Sequence, residues 1–385
     1  MVAGEASGDH LGARLMAALK SQLGGRVRFR GVGGAAMGRE GLASLFPMED
    51  VTAIGIGAVA VKIPTILRRL SETIAAIRAA KPDVLVLIDS PDFTHRVARK
   101  VRRALPDLAI VKYVAPTVWA WRPGRARAMR PDFDQVLALL PFEPAAMEQL
   151  GGPPTSYVGH PLLERLAELR PSPQETAARK REPPLVLVLP GSRRLELGRL
   201  APIFADAIGR LASARGAIEF MLPTLPALAP EIAAAVESWP VRPQIVTLEA
   251  EKYAAFRRAR AALAASGTVT LELALSKVPM VTAYRVPLFE ELIARAVLLI
   301  KSVILPNLVL GENVVPEFLQ RDCNAENLAA ALLPLLNEGP ERKRQLAAFA
   351  RLDPLFATGN EPPSARAARI VIETYEKKTG RRARA

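Results

Sequence analysis

Apolar residues recur along this chain in two alternating rhythms. In the first half, short runs of strand-forming residues (VRFRGVG, DVLVLID, AIVKYV, QVLALL and TSYVG) are each followed by a turn or by apolar positions at helical spacing. Such alternation predicts a parallel sheet wrapped by helices. A second series starts at LVLVLPGSRR and continues through IEFMLP, PQIVTL and AALAAS to KVPMVTAY. Between the two, ERLAELRPSPQETAARKREPP is charged and Pro-rich, as a connection between domains is. The expected fold class is therefore α/β, with two doubly wound parallel-sheet domains facing a cleft. The domains are residues 1–168 and 183–355, and residues 356–385 form a terminal helix and basic tail that can pack back on the first domain.

The opening MVAGEASGDH strains that pattern. Val2 to Gly8 reads as the sharp turn at the end of a buried parallel strand. Ser7 or Asp9 would cap a helix that buries Leu11, Leu15, Met16, Leu19 and Leu23. Almost no strand stands in front of it, so the expectation is that the first strand of the N-terminal sheet is missing.

Composition narrows the function classes. With 385 residues, half of them apolar, the chain can bury two cores. One cysteine, Cys323, excludes an internal disulfide and suits a reducing compartment. The first residues, with Glu5 and Asp9, lack the basic start and apolar core of a signal peptide. A net charge of +14 favours a polyanionic partner: nucleic acid, an acidic lipid surface or phosphorylated small molecules. The stretch from Leu288 to Leu310 is greasy, but Glu290, Glu291, Arg295 and Lys301 interrupt it. It falls short of the ~20 apolar residues that span a bilayer, which leaves a peripheral protein at most.

Ligands of doubly wound domains bind outside the carboxyl ends of strands. PGSRR follows LVLVL directly: Gly191 permits close backbone approach, Ser192 can donate or cap, and Arg193 can pair with a phosphate. SGTVTLE follows AALAA. There Ser266, Gly267 and Thr268 open a helix toward an anion, and Glu272, one turn on, can accept from ribose hydroxyls. Each loop alone is equally a capped strand-to-helix turn. Two in one domain point to a nucleotide diphosphate.

In the first domain, Asp89 ends the apolar run DVLVLID, where a carboxylate is partly desolvated and suited to general-base work. Asp92 follows three residues later. The alternative has Asp89 capping the next helix while Asp92 solvates the turn. YVAPTVWAWRPGR sets Trp119 and Trp121 beside Arg122 and Arg125, fit either to stack a ring and pair with phosphate or to pack between domains. Ile63, Ile66, Leu67, Leu70, Ile74 and Ile77 recur at helical spacing. They are preceded by an apolar run from Ile54 to Val61 and flanked by Lys62, Arg68 and Arg69. Core packing accounts for such a stripe, and so does a helix lying on an anionic membrane.

AGEASGD, GVGG, IDSPDF, YVAPTVWAWR, LPFE, VGHP, LPGSR, SGT with Glu272, and LPNLVLGENVVPEFLQ, in this order over nearly the whole chain, resemble the lipid-A-disaccharide synthase family. The resemblance implies a GT-B glycosyltransferase, peripheral on the cytoplasmic face of the inner membrane. It would join UDP-2,3-diacylglucosamine to 2,3-diacylglucosamine 1-phosphate (lipid X), forming the β-1,6 disaccharide of lipid A and UDP. It also implies a catalytic role for Asp89 and nucleotide contacts from Arg193, Ser266, Thr268, Glu272 and Asn307. The other polar or aromatic residues of the N-terminal loops, Glu5, Ser7, Asp92, Trp121 and Arg122, become candidates to face the acceptor. Ile63, Ile66, Leu67, Leu70, Arg68 and Arg69 become candidates to meet the anionic membrane.

No cofactor, metal or nucleic acid is expected, and a homodimer stays open. The Asp132–Asp134 pair precedes a strand and reads as a turn, and His160, within the VGHP motif, can orient a phosphate or cap a turn, the turn being the favoured reading. Two departures from the family pattern stand out, His10 at a usually aliphatic position and Ala35 at a common proline. Two rivals remain. GVGGAA with Asp50 also fits a dinucleotide-binding pattern of an NAD-dependent oxidoreductase, although SLFPMED is a poor second strand. The basic charge suits an RNA-binding protein, which would carry an aromatic RNA-binding strand motif or a GxxG clamp, and neither is convincing here.

Overall fold

The computed structural model describes residues 1–52 and 56–383, which cluster into two compact units. One comprises Met1–Leu163 with Phe356–Ala385, the other Glu164–Leu355.

The described residues of the first unit form the strands β1 (Val2–Ala3), β2 (Arg30–Gly31), β3 (Ala43–Ser44), β4 (Val84–Ile88), β5 (Ala109–Tyr113), β6 (Gln135–Ala138) and β7 (Thr155–Tyr157). Its main sheet runs β1-β4-β5-β6-β7, all parallel, and β2 and β3 form a separate parallel pair. Helices α1 (Ala6–Gln22), α2 (Ala35–Arg39), α3 (Ile56–Ala80) and α4 (Pro91–Ala104) connect them. The apolar runs in β4 and β5 are buried because helices cover both faces of a parallel sheet. The C-terminal helix Pro363–Thr379 joins this core through Ala367, Ala368, Ile370 and Val371, and Gln22 Nε2 donates to Ala365 O at 2.8 Å.

The strand expected to be missing is present as a two-residue stub. Val2 and Ala3 pair with Leu87 and Ile88, while Ala3 N donates to Val32 O and Val32 N to Met1 O on the other side. Hydrogen bonding on both edges is what lets so short a segment hold a strand position. The stretch VRFRGVG contributes only Arg30–Gly31 and the bridge from Val32 to Val2. Thus the chain leaves β1 toward Val32 and crosses back to β4, which makes the gap between β1 and β4 a point where winding reverses.

The second unit holds β8 (Leu185–Leu189), β9 (Glu219–Pro223), β10 (Gln244–Val246), β11 (Ala261–Ala265), β12 (Met280–Tyr284) and β13 (Glu317–Leu319). Their order, β10-β9-β8-β11-β12-β13 and all parallel, is that of a doubly wound dinucleotide-type sheet. Its winding reverses between β8 and β11, paired from Ala261↔Val186 to Ala264↔Leu189. Arg179 ties the connecting segment to this unit. Its buried guanidinium donates to the carbonyls of Phe256, Arg257, Ser276 and Lys277, at 2.7–2.9 Å.

Candidate functional site

At both reversals the flanking loops carry the residues that sequence singled out. In the first unit the loop after β1 bears Glu5, the first turn of α1 bears Ser7, and the loop after β4 bears Asp89. They touch because residue 4 is glycine: a Cβ there would lie 2.5 Å from Ser90 Oγ and 2.8 Å from its Cβ. The glycine-rich opening thus serves a close approach of two loops.

Asp89 and Ser90 both adopt left-handed backbone, φ 48° and 41°, a strained conformation for side chains of this kind. Ser90, not Asp89, occupies the N-cap position of α4. The carboxylate is therefore not spent on the helix end. Its Oδ1 accepts from Ser90 N at 2.9 Å, and its Oδ2 has a long 3.4 Å contact from Ser7 Oγ.

Beneath the turn lies a residue that motif reading missed. Lys112, in the middle of β5, is wholly buried and donates through Nζ to Asp89 O and, at 3.0 Å, to Thr94 Oγ1. Burial pushes its ammonium down to about 7, opposed by the charges of Asp89 and Glu5 and reinforced by Arg125. A signal was there to read, since a lysine inside AIVKYV breaks a fully apolar run.

Asp92 is exposed and pairs with Arg125 at 2.8 Å. Arg122 and Arg125 lie over the Trp121 ring, 4.4 and 5.8 Å from its centroid, and Trp121 Nε1 donates to Thr117 Oγ1 at 3.1 Å. Trp119 plays another part. Its Nε1 donates at 3.3 Å to Glu143, which also accepts from Leu139 N and Leu140 N. Burial pushes the Glu143 carboxyl up to about 7, against the pull of these donors. The LPFE motif therefore anchors one tryptophan while its neighbour stays at the surface with two arginines.

In the second unit the loops after β8 and β11 are adjacent. Gly191 has φ 118°, and a Cβ there would come within 2.8 Å of Glu196. Ser192 and Arg193 are exposed. Arg193 stands at the N-cap of the helix Arg194–Arg215 with Glu196 3.6 Å from its guanidinium. Gly267 and Thr268 are exposed, and Thr268 occupies the N-cap of the helix Val269–Leu275 without bonding to it through its side chain. Ser266 Oγ instead donates to Val303 O at 3.0 Å. Glu272 is met by Lys252 Nζ at 2.5 Å, a partner sequence reading did not name.

Asn307 has a different occupation from the direct nucleotide contact the resemblance implies. Oδ1 accepts from Val314 N and Val315 N, and Nδ2 donates to Val315 O and Glu317 Oε1, all within 3.0 Å. All four of its hydrogen-bonding positions are used inside the protein. It pins the loop before β13.

The α3 stripe is divided. Ile63 and Leu67 are exposed, 47% and 48%, and Arg68 is exposed beside them. Leu70 and Ile77 belong to the core, with Ile66 and Ile74 half-buried against it. Arg69 is bound to Asp50 at 2.7 Å and to Glu72 at 2.6 Å and lies over Phe46. Leu70 and Arg69 are therefore not membrane-facing, because the helix must bury one side on its own unit. The run from Ile54 to Val61, with Lys62, lies outside the residues whose side chains are described.

The NAD rival fails on geometry. The amides of Gly34, Ala36 and Met37, which such a fold would aim at a pyrophosphate, donate instead to the buried Asp9 carboxylate at 2.8–3.0 Å, and Asp50 is held by Arg69. His160 caps a turn, its Nδ1 accepting from Leu162 N at 3.2 Å, and burial lowers it to about 4. Asp134 is tied to Arg102, Lys378 and Ile110 N. Among the described residues no group of three or more acids, histidines or cysteines could hold a metal.

Residues 1–360 match the family model described as lipid-A-disaccharide synthetase. The chain is 56% identical over 377 residues to the lipid-A-disaccharide synthase of Rhodopseudomonas palustris strain HaA2, covering 98% of this chain and 96% of that one. It is 45% identical over 381 residues to that of Rhodospirillum centenum, covering 98% and 94%. Among solved structures, the glycotransferase of kitacinnamycin aligns with a TM-score of 0.62 at 16% identity, covering 97% and 98%. The UDP-GlcNAc 2-epimerase of Neisseria meningitidis bound to UDP-GlcNAc aligns with a TM-score of 0.59 at 13% identity, covering 96% and 97%. These structures carry the GT-B fold, and with the family match they establish that the chain belongs to the lipid-A-disaccharide synthase family of glycosyltransferases, which act in lipid A biosynthesis.

Proposed function

We propose that the second unit holds UDP-2,3-diacylglucosamine, and that Asp89 of the first unit activates lipid X for attack on its anomeric carbon. The observation that carries this reading is the state of the Asp89 carboxylate. Among the described residues Oδ1 is fixed by Ser90 N while Oδ2 has only a long serine contact, so one oxygen orients the group and the other is left to take a proton. The acceptor 6-hydroxyl gives its proton to Oδ2 as its oxygen bonds to the anomeric carbon. The bond from that carbon to the diphosphate oxygen breaks on the opposite face, and UDP leaves with the electron pair. The configuration inverts to the β-1,6 disaccharide 1-phosphate.

Negative charge grows on the departing diphosphate, and an exposed cation beside it stabilises the transition state more than the ground state. Arg193 takes that part, with Gly191, Ser192, Gly267 and Thr268 offering backbone and hydroxyl groups along the same reversal, while Ser266, whose N–H and Oγ donate to Ala283 O and Val303 O, holds the loop in shape. Glu272, held by Lys252, takes the ribose hydroxyls, and Asn307 contributes by holding its loop. Glu5, Ser7, Asp92, Trp121 and Arg122 line the acceptor side. Both substrates are anionic lipids, and the chain works as a peripheral protein on the cytoplasmic face of the inner membrane. Ile63 and Leu67 enter the interface, and Arg68 meets lipid phosphates. No described helix is long and apolar enough to cross a membrane.

The test is to incubate the purified chain with both acylated substrates and follow the tetraacyl disaccharide by mass spectrometry, alongside Arg193→Ala. The expected result is product from the wild type and a loss of about 10²-fold in turnover in the variant, the scale of one lost transition-state donor. No product from a folded wild type, or full activity without Arg193, would refute the reading.

A further inference from the structure

The segment from Arg285 to Ser302 leaves the sheet at the end of β12 and returns ahead of Val303. Both its roots are fastened to Ser266. Ser266 N donates to Ala283 O, and Ser266 Oγ donates to Val303 O, each at 3.0 Å. Gln320 staples the departing strand, accepting from Val286 N at 2.7 Å and donating to Val286 O and to Glu291 Oε2. The base of this excursion is therefore fixed while its outer face is bare. Phe289 is 66% exposed, Leu292 68% and Leu299 64%, with Val297 and Leu298 exposed beside them. Side chains of this size and exposure, Phe289, Leu292, Val297, Leu298 and Leu299, form an apolar face. Arg285 and Lys301, both exposed, stand at its two ends. Glu291 is drawn inward by Gln320, which leaves Glu290 as the exposed acid of the helix Leu288–Val297.

We infer that this excursion is a second membrane contact: its apolar face inserts into a fluid bilayer surface, and Arg285 and Lys301 pair with anionic lipid phosphates. An apolar face bracketed by cations suits such a surface, whereas an acyl chain needs a groove. The inference rests on the reading of the Ser266 loop as the diphosphate site of a lipid-linked donor. A sugar nucleotide whose acyl chains stay in the bilayer must be received close to the interface, and the excursion is rooted at that loop.

The test uses the full chain and vesicles of phosphatidylcholine with phosphatidylglycerol. The wild type is expected to float with them, and the F289S/L292S/L299S variant to lose at least tenfold in partitioning while UDP affinity is unchanged. In a Phe289→Trp variant, the added indole emission should be quenched by brominated lipid. Equal flotation of wild type and triple variant, or an added indole signal blind to the quencher, would overturn the inference. So would unchanged partitioning with a raised KM for the acylated donor, which would assign the face to the donor's own chains. A wild type that floats but binds no UDP would refute the donor-site reading separately, and the quenching would still report on this face.

Discussion

Replacing Lys112 with methionine probes both the electrostatics of the buried lysine and its hold on the Asp89–Ser90 turn. In the unfolded chain the ammonium titrates near ~10.5, and in the native protein burial brings it to about 7. Between those values the unfolded state binds a proton the native state lacks, so stability rises with pH. The penalty is complete below about pH 7 and vanishes above the unfolded value. It comes to about 5 kcal/mol at ~1.4 kcal/mol per pH unit. Against it stand the hydrogen bonds to Asp89 O and Thr94 Oγ1, worth ~1.5–3 kcal/mol each for a charged donor. These contributions nearly cancel, so Lys112→Met should lie within about 2 kcal/mol of wild type at pH 7. From pH 7.5 to 9, urea denaturation should show the wild type gaining about 2 kcal/mol relative to the variant. Other groups that titrate there, such as the buried N-terminal amine, are common to both proteins and drop out of the difference. Turnover should fall about 10- to 100-fold, because the left-handed Asp89–Ser90 turn loses a clamp set against ~1–3 kcal/mol of strain per residue. Parallel stability profiles together with undiminished turnover would refute the reasoning.

Three further outcomes are expected. Asp9→Ala frees the amides of Gly34, Ala36 and Met37, and should cost about 2 kcal/mol in urea denaturation, where a loss under ~0.5 would contradict the capping role. Arg179→Ala strands four carbonyls at the ends of two helices of the second unit and should cost about 3–5 kcal/mol, read the same way. Converting Ile63 and Leu67 to serine should weaken vesicle partitioning while leaving thermal stability within about 2 °C, since both side chains already face solvent.

The second sheet was legible because β8 and β11, buried on both faces, read as unbroken apolar runs, and the loops that follow them carry the candidate residues. Asp89 was legible for the same reason, a carboxylate at the end of VLVLI. What stayed hidden depends on partners distant in sequence. Val2–Ala3 is a strand only because Val32 and β4 pair with both its edges, which no local propensity of two residues reveals. Asn307 sits in a motif implied to touch nucleotide, yet its bonding is consumed by Val314, Val315 and Glu317, a matter of how the loop folds back. On α3 the helical period marked one apolar stripe, and period alone does not divide Leu70, which packs inward, from Leu67, which does not.

The central claim is that the free oxygen of Asp89 receives the acceptor proton, and Asp89→Asn tests it most directly. The amide keeps the shape and an oxygen for Ser90 N but is no base at neutral pH. With both acylated substrates saturating, disaccharide formation should fall by about 10³-fold or more while UDP affinity stays within a factor of two. Turnover equal to wild type in that variant would contradict the account.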